Sequence, residues 1–340
     1  MTHTPTPHIT IIAEAGVNHN GSFHLACRLA EIAKNAGADY VKFQTFIPEK
    51  LISCNAPQAD YQKKNTASAQ TQLEMIRKIM LDKEQFPPLK KYCDSIGISF
   101  LSTPFDSESI QIVADLDMDY MKIPSGEITN LPYLRAVAKV GLPVIMSTGM
   151  SNMSEIEDAL NILVTEGIPL SNITLLHCNT EYPTPYADVN LRAMTTLRQT
   201  FGTRVGYSDH TRGIEVAIAA AAMGAEVIEK HFTIDRNLPG PDHLASLQPD
   251  ELTEMVNAIR HIELALGSPS KLVTQSELKN RPIARKSIVA AKHIRKGDIF
   301  TEDNLTLKRP GDGISPMLWD KVIGTISPAD FLPDQQITLK

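Results

Sequence analysis

At 340 residues, with 42% hydrophobic and 21% charged side chains, the chain can bury one large core and carry something smaller beside it. A net charge of −6 and a pI near 5.9 argue against nucleic acid or an anionic membrane as the main partner. No apolar run approaches the ~20 residues of a membrane span, and the start MTHTPTPHIT lacks the basic and apolar parts of a signal peptide, so a cytoplasmic location is expected.

Eight short apolar runs rich in β-branched residues follow one another along the chain: ITIIAEAG, YVKFQTF, ISFLSTPF, DYMKIPSGE, PVIMSTGM, ITLLHCNTEYP, VGYSDH and VIEKHFT. Helical periodicity fills the gaps, as in HLACRLAEIAKNAGA and EIEDALNILVTEG, and glycine often closes these stretches. Eight strand-then-helix units predict a parallel (β/α)8 TIM barrel. A doubly wound open sheet is the rival, but its first turn should read GxGxxG, and EAGVNHNG does not. The connection after the second strand, from about Ile47 to Phe86, is long and polar in its middle, and is expected to form a flap over the barrel mouth. Beyond the eighth unit the alternation stops, and from about Pro282 short strand-like pieces and a single Trp319 indicate a small domain with a thin core of its own. The expected division is a barrel over 1–268, a linker over 269–284 and a small domain over 285–340. Cys27, Cys54, Cys93 and Cys178 are scattered without a CxxC pair, so reduced, mostly buried thiols are expected.

In a (β/α)8 enzyme the reacting groups sit at the carboxyl ends of the strands. The matching positions here are Glu14; Lys42 with Gln44; Thr103; Lys122 with Ser125 and Glu127; Ser147; Asn179 with Tyr182; Ser208 with Asp209 and His210; and Glu229 with Lys230 and His231. One polar strand end would mean little, but eight in register point to a shared site. His210 and His231, from adjacent strands, can offer two imidazoles to a divalent metal while leaving positions open for water and substrate. Nitrogen and oxygen donors together favour manganese, iron, cobalt or zinc over magnesium in affinity. A strand-capping role for either histidine is the alternative. Lys42 and Lys122, with the hydroxyls of Thr103, Ser125, Ser147 and Ser208, would cradle an anion carrying phosphate and carboxylate, unless Glu14 and Glu127 merely pair them. Glu127, on the loop after the fourth strand, is either a proton exchanger or a loop cap.

The motifs IIAEAGVNHNG, VKFQTF, FLSTPFD, KIPSGEITNLPYL, STGM, LLHCNTEYPTP, GYSDHTRG, EKHFT, GPDH and KRPG, in that order, resemble the bacterial sialic acid synthase family, which makes nine-carbon nonulosonic acids. The likeness covers essentially the whole chain, and the tail resembles that family's antifreeze-like (SAF) domain. The resemblance implies condensation of phosphoenolpyruvate with the open-chain aldehyde of an N-acylated mannosamine-type sugar. Carbon 3 of phosphoenolpyruvate attacks the aldehyde, water adds at C2, and phosphate leaves by C–O cleavage. By the same resemblance a divalent metal on His210 and His231, manganese foremost with magnesium or cobalt as alternatives, polarises the aldehyde. Lys42, Thr103, Lys122, Ser125, Ser147, Asn179 and Ser208 match phosphoenolpyruvate-binding positions, with Thr180 close to Asn179. Glu127 matches an acid/base carboxylate. Gln44, Tyr182 and Asp242 match sugar contacts, and Glu14 an acidic position at the site. Arg309 in KRPG matches an arginine that the tail delivers into the partner chain, implying a domain-swapped homodimer; read alone, it is a surface charge before a turn. EAGVNHNG, GEITNLPYL and GYSDHTRG look closer to synthases that make N,N'-diacetyllegionaminate from 2,4-diacetamido-2,4,6-trideoxymannose than to those that take N-acetylmannosamine. Two other readings stand beside this one: a Schiff-base aldolase using Lys122, Lys42 or Lys230, and an inert barrel bearing a binding module.

Overall fold

Strand β1 (Thr10–Gly16) opens a parallel ladder. On one side lie β2 (Tyr40–Thr45) and β3 (Ser99–Pro104), and on the other β8 (Val227–His231), β7 (Arg204–Asp209), β6 (Ile173–Cys178), β5 (Val144–Ser147) and β4 (Met121–Ile123). The structure, a computed structural model, describes residues 8–60, 62–63 and 71–340. Because β1 pairs with both β2 and β8, the sheet rolls into the predicted (β/α)8 barrel, and its ladder is interrupted only between β3 and β4. At that seam side chains take over from the missing ladder. The Ser102 amide donates to Met118 Sδ (3.2 Å) and the Tyr133 hydroxyl donates to the Pro104 carbonyl (2.7 Å), so buried backbone groups there keep partners.

The helices form where sequence signals start and stop them. Helix Phe23–Ala36 begins at Ser22, whose hydroxyl accepts from the Leu25 amide, and ends at Gly37 in the left-handed region (φ 82°). Its buried face, Ala26, Leu29, Ala30 and Ala33, belongs to the same core as Ile11, Val41 and Phe43 of the strands. Full burial of a side chain such as Leu29 contributes roughly 1.5–3 kcal/mol. On the last barrel helix, Pro249–Leu266, Arg260 pairs with Asp39 (2.8 Å), and Asp39 accepts the Ile11 amide (2.7 Å), tying the final helix to the starts of β1 and β2. In β7, Gly206 has no room for a side chain: a Cβ there would stand 2.3 Å from the Val227 carbonyl oxygen.

Two expectations are adjusted. The run DYMKIPSGE is strand only over Met121–Ile123, because Pro124 has no amide to donate and Ser125–Glu127 closes a 3-10 turn. The long second connection has structure of its own, with helices Pro48–Leu51 and Gln72–Ile79, the latter started by a Thr71/Glu74 capping box. The expected flap falls partly on residues 61 and 64–70, outside the described residues. All four cysteines are free; Cys93 and Cys178 are buried, Cys27 is half-buried and Cys54 is exposed.

The first compact unit ends at Gly267 and the second runs from Ser268 to Lys340. In the second, β9 (Ser287–Ala290) pairs antiparallel with β10 (Leu305–Lys308) over a small core of Ile288, Ile294, Phe300, Leu305, Phe331 and Ile337. The segment expected as a linker groups with this unit and carries two short helical turns, Gln275–Leu278 and Arg281–Ala284. Among the described residues no helix is long and apolar enough to cross a membrane.

Candidate active site

Strand alternation sorts the polar strand ends into two layers. Along β8, Glu229 and His231 face a cavity of about 620 Å³ at the carboxyl ends of the strands, as do Ser208 and His210 at the end of β7. Asp209 and Lys230, the residues between them, are register partners turned the other way. There the Lys230 ammonium lies 2.8 Å from Asp209 Oδ2 and donates to the Thr211 carbonyl (2.6 Å), while Asp209 Oδ1 accepts from the Thr211 amide and hydroxyl. Both side chains of this pair are fully shielded from solvent. Lys230 therefore cannot serve as a Schiff-base nucleophile from the cavity.

Register also assembles the cavity floor. Glu14 stands opposite both Lys42 on β2 and His231 on β8. Its Oε2 is 2.6 Å from Lys42 Nζ, and Gln44 donates to its Oε1 (3.2 Å). Lys42 also donates to Thr103 (3.0 Å) and lies 3.4 Å from Glu229. Lys122 donates to Ser147 (2.6 Å) and stands 3.9 Å from the other oxygen of Glu229, which accepts from Ser208 (2.8 Å). Burial shifts these groups unequally. It pushes Glu14 up to about 7 despite Lys42, whereas Glu229, between two lysines, is held down at about 2 against the same burial. Burial pulls Lys122 down, with Glu229 compensating only in part; for Lys42 the carboxylates of Glu14 and Glu229 outweigh burial and raise it. Two fixed ammonium groups ringed by hydroxyls form an anion cradle, and its single near-neutral carboxyl can take up or release one proton.

Beside the floor the two imidazoles converge, with ring centroids 5.5 Å apart. Tyr182 stacks on His210 (4.1 Å) and meets His231 edge-on (5.6 Å). His210 Nδ1 donates to the Asn179 carbonyl, which leaves Nε2 with its lone pair toward Ser208 (3.4 Å). Burial lowers His210 to about 4 and His231 well below its ordinary value, so both rings are neutral near pH 7. Buried Nδ1 of His231 has no hydrogen-bond partner. Among the described residues no group of three or more histidine, cysteine or acidic side chains is gathered for a metal. The donor set is thus two neutral imidazoles with open positions, which fits a divalent metal completed by water or substrate oxygen.

Of the expected residues, Glu14, Lys42, Gln44, Thr103, Lys122, Ser125, Ser147, Tyr182, Ser208, His210 and His231 line this cavity. Asn179 does not. Its side-chain oxygen accepts from the Glu181 amide (2.8 Å) and caps its own loop, its backbone carbonyl holds His210, and Thr180 lines the cavity in its place. Glu127 is half-buried in a neighbouring recess, its carboxylate accepting from Asn130 (2.6 Å). Asp242 is buried against a smaller annex and pushed up to about 6 by that burial. Arg309 is exposed at the end of β10, in the other unit. Glu229 and Cys178 line the cavity without belonging to the expected ligand set, as do Asp60, Gln62 and Gln72 of the second connection, and Gly149 packs directly behind it. At Gly149 a Cβ would meet Thr180 Cγ2 at 2.7 Å and Ser125 Oγ at 2.8 Å, and its amide donates to Ser125 (2.9 Å). Glu229 was legible in the strand register; the glycine's role needs the packed structure.

Residues 29–271 match the NeuB family, and residues 285–340 match the SAF domain. The chain is 52% identical to N,N'-diacetyllegionaminic acid synthase of Campylobacter jejuni over 96% of this chain and 98% of that one. It is 47% identical to the enzyme of the same name from Legionella pneumophila, over 93% and 89%. Among solved structures, the N-acetylneuraminic acid (sialic acid) synthetase of Leptospira borgpetersenii superposes with a TM-score of 0.70 at 34% identity, covering 81% of this chain and 90% of that one.

Proposed function

The chain belongs to the NeuB family and ends in a SAF domain, and from this premise we propose that it is a nonulosonic acid synthase condensing phosphoenolpyruvate, an N-acylated mannosamine-type sugar and water, with release of phosphate. The product we propose is N,N'-diacetyllegionaminate, from 2,4-diacetamido-2,4,6-trideoxymannose, in keeping with the names of the relatives at 52% and 47% identity. The observation that carries the reading is the cavity floor, where Lys42 and Lys122 lie among four hydroxyls directly beside two neutral imidazoles.

In this reading Lys42 and Lys122 hold the phosphate and carboxylate of phosphoenolpyruvate, aided by Thr103, Ser125, Ser147 and Ser208. Glu229 stands between the two lysines and offsets part of the cost of burying their charge. Gln44 and Tyr182 orient the aldehyde end of the sugar beside the imidazoles, with C3 of phosphoenolpyruvate facing its carbon. His210 and His231 would hold a divalent metal, manganese first, with magnesium or cobalt as alternatives, supplying Lewis-acid polarisation of the aldehyde oxygen. The new bond joins C3 to the aldehyde carbon; a water oxygen adds at C2, its proton is taken up, and the C2–O bond to phosphate breaks. Glu14, with an acidity near neutrality, holds a proton inside the cavity. Glu127 exchanges protons with water at the rim once its hydrogen bond to Asn130 is given up. A homodimer is proposed in which Arg309 of one chain serves the other's cavity, supported by its exposure and by the exposed Leu272, Ile283 and Met317 of the same unit. The cytoplasm is the compartment that suits a phosphoenolpyruvate consumer.

The test is turnover of phosphoenolpyruvate carrying 18O in its bridging C–O–P oxygen. The expected outcome is sugar-dependent phosphate release with the label in phosphate. Label retained in the sugar acid, or no phosphate released with any N-acylated mannosamine, overturns the reading.

A further inference from the structure

Asn18, His19 and Asn20, in the turn after β1, line neither the cavity nor its annex. This turn grips the loop after β8 instead. Asn18 is 1% exposed, and its Nδ2 uses both hydrogens on that loop, donating to the Phe232 carbonyl (2.8 Å) and to Ser246 Oγ (3.0 Å). Ser246 Oγ passes the connection on by donating to the Asp242 carbonyl (2.7 Å). Two residues along the turn, Asn20 Oδ1 meets His243 Nε2 (3.4 Å), and the other ring nitrogen of His243 lies 2.7 Å from Thr233 Oγ1. One turn thus holds both stems of the loop that brings Asp242 to the annex.

The Asn18 amide keeps this place at a cost. Its Oδ1 is buried without a hydrogen-bond partner, and an acceptor orphaned away from water is unfavourable. A residue needed only to fill space there would be better served by leucine, so the two donated bonds account for an amide at this position. His231 does not depend on them. The ladder holds it from both sides, with the Phe232 amide donating to the Glu14 carbonyl (3.0 Å) and the Leu247 amide to the His231 carbonyl (2.9 Å). Asp242 lies outside any ladder, and its carbonyl is held by Ser246 Oγ and the Ala245 amide (3.2 Å). We propose that Asn18 is a positioning residue that acts through Ser246 to fix Asp242 at the acceptor side of the cavity, separately from the imidazoles and the anion cradle. The inference rests on the synthase reading above and goes beyond it by naming a residue behind the site that sets affinity for the sugar.

The experiment measures KM for phosphoenolpyruvate and for the better of two acceptors, 2,4-diacetamido-2,4,6-trideoxymannose and N-acetylmannosamine, in the parent, Asn18→Leu and Ser246→Ala. Manganese affinity is read on the same proteins by electron paramagnetic resonance, and folding by far-UV circular dichroism. Asn18→Leu keeps the branched shape and removes both donors; Ser246→Ala removes only the relay and guards against a first variant that fails to fold. In each, KM for the sugar should rise about three- to tenfold, the scale of one net hydrogen bond, while KM for phosphoenolpyruvate and the manganese affinity stay within about twofold. In an Asp242→Ala background, where the positioned side chain is gone, Asn18→Leu should raise the sugar KM by less than about twofold more. A sugar KM unmoved in a folded variant, equal rises in both KM values, weakened manganese binding, or full additivity with Asp242→Ala overturns the positioning role and leaves the synthase reading intact. No phosphate release by the parent with either sugar overturns the synthase reading, and the positioning role with it.

Discussion

Lys230→Met gives the sharpest test of the layer behind the imidazoles. The Lys230 and Asp209 side chains are wholly shielded, 2.8 Å apart, and sit immediately before His231 and His210 in the chain. Removing Lys230 leaves the Asp209 charge buried, with the Thr211 amide and hydroxyl as its hydrogen-bond donors among the described residues. Breaking such a pair from one side costs about 3–5 kcal/mol. At roughly 2–4 °C per kcal/mol for a barrel of this size, the midpoint should drop by about 6–20 °C. Far-UV circular dichroism follows the barrel helices, while fluorescence of Trp319, in the second unit, reports separately on that unit. Adding Asp209→Asn to Lys230→Met removes the stranded charge, keeps an acceptor for Thr211, and should restore more than half of the loss. A Lys230→Met barrel melting within 2 °C of the parent, or a double variant no better than the single, would refute the reasoning.

Three further outcomes are expected. Lys122→Met should raise the KM for phosphoenolpyruvate about ten- to a hundredfold, the scale of a charge-assisted hydrogen bond of roughly 1.5–3 kcal/mol; a KM within twofold of the parent would exclude Lys122 from the anion cradle. His231→Ala should abolish manganese binding, read by electron paramagnetic resonance of the free ion, while far-UV circular dichroism stays unchanged; undiminished binding would remove this histidine from the donor set. Mixing inactive His210→Ala with inactive Arg309→Ala protein and allowing subunit exchange should restore up to about a quarter of the activity per site if the arginine acts across a dimer, a statistical limit set by random pairing; no restoration in mixed dimers verified by mass would rule out that exchange.

The barrel was legible because a buried parallel strand writes itself as a short β-branched run, and eight such runs admit few topologies. Where a run continued past its strand, as in DYMKIPSGE, periodicity had nothing to say about Pro124, whose missing amide ends the ladder. The polar strand ends announced the cavity, and alternation should have divided Glu229 and His231 from Lys230, since only every second residue faces inward. Asn179 shows the limit of reading side chains: its carbonyl sets the His210 tautomer, and a backbone contribution leaves no mark on residue type. Glu127 was expected at the site from its loop, but the 3-10 turn carries its carboxylate toward Asn130. The annex beside Asp242 was hidden for another reason. Val17, Phe46 and Ile76 look like ordinary core residues in three separate segments, and only tertiary packing brings them to its wall, beside Gln62 and Gln72.

The most direct test of the central claim is the mass of the product formed from phosphoenolpyruvate and 2,4-diacetamido-2,4,6-trideoxymannose in the presence of manganese, with phosphate quantified in the same reaction. One phosphate for each molecule of N,N'-diacetyllegionaminate is the predicted result. Consumption of phosphoenolpyruvate without a nine-carbon sugar acid, or a sugar acid that still carries the phosphate, would contradict it.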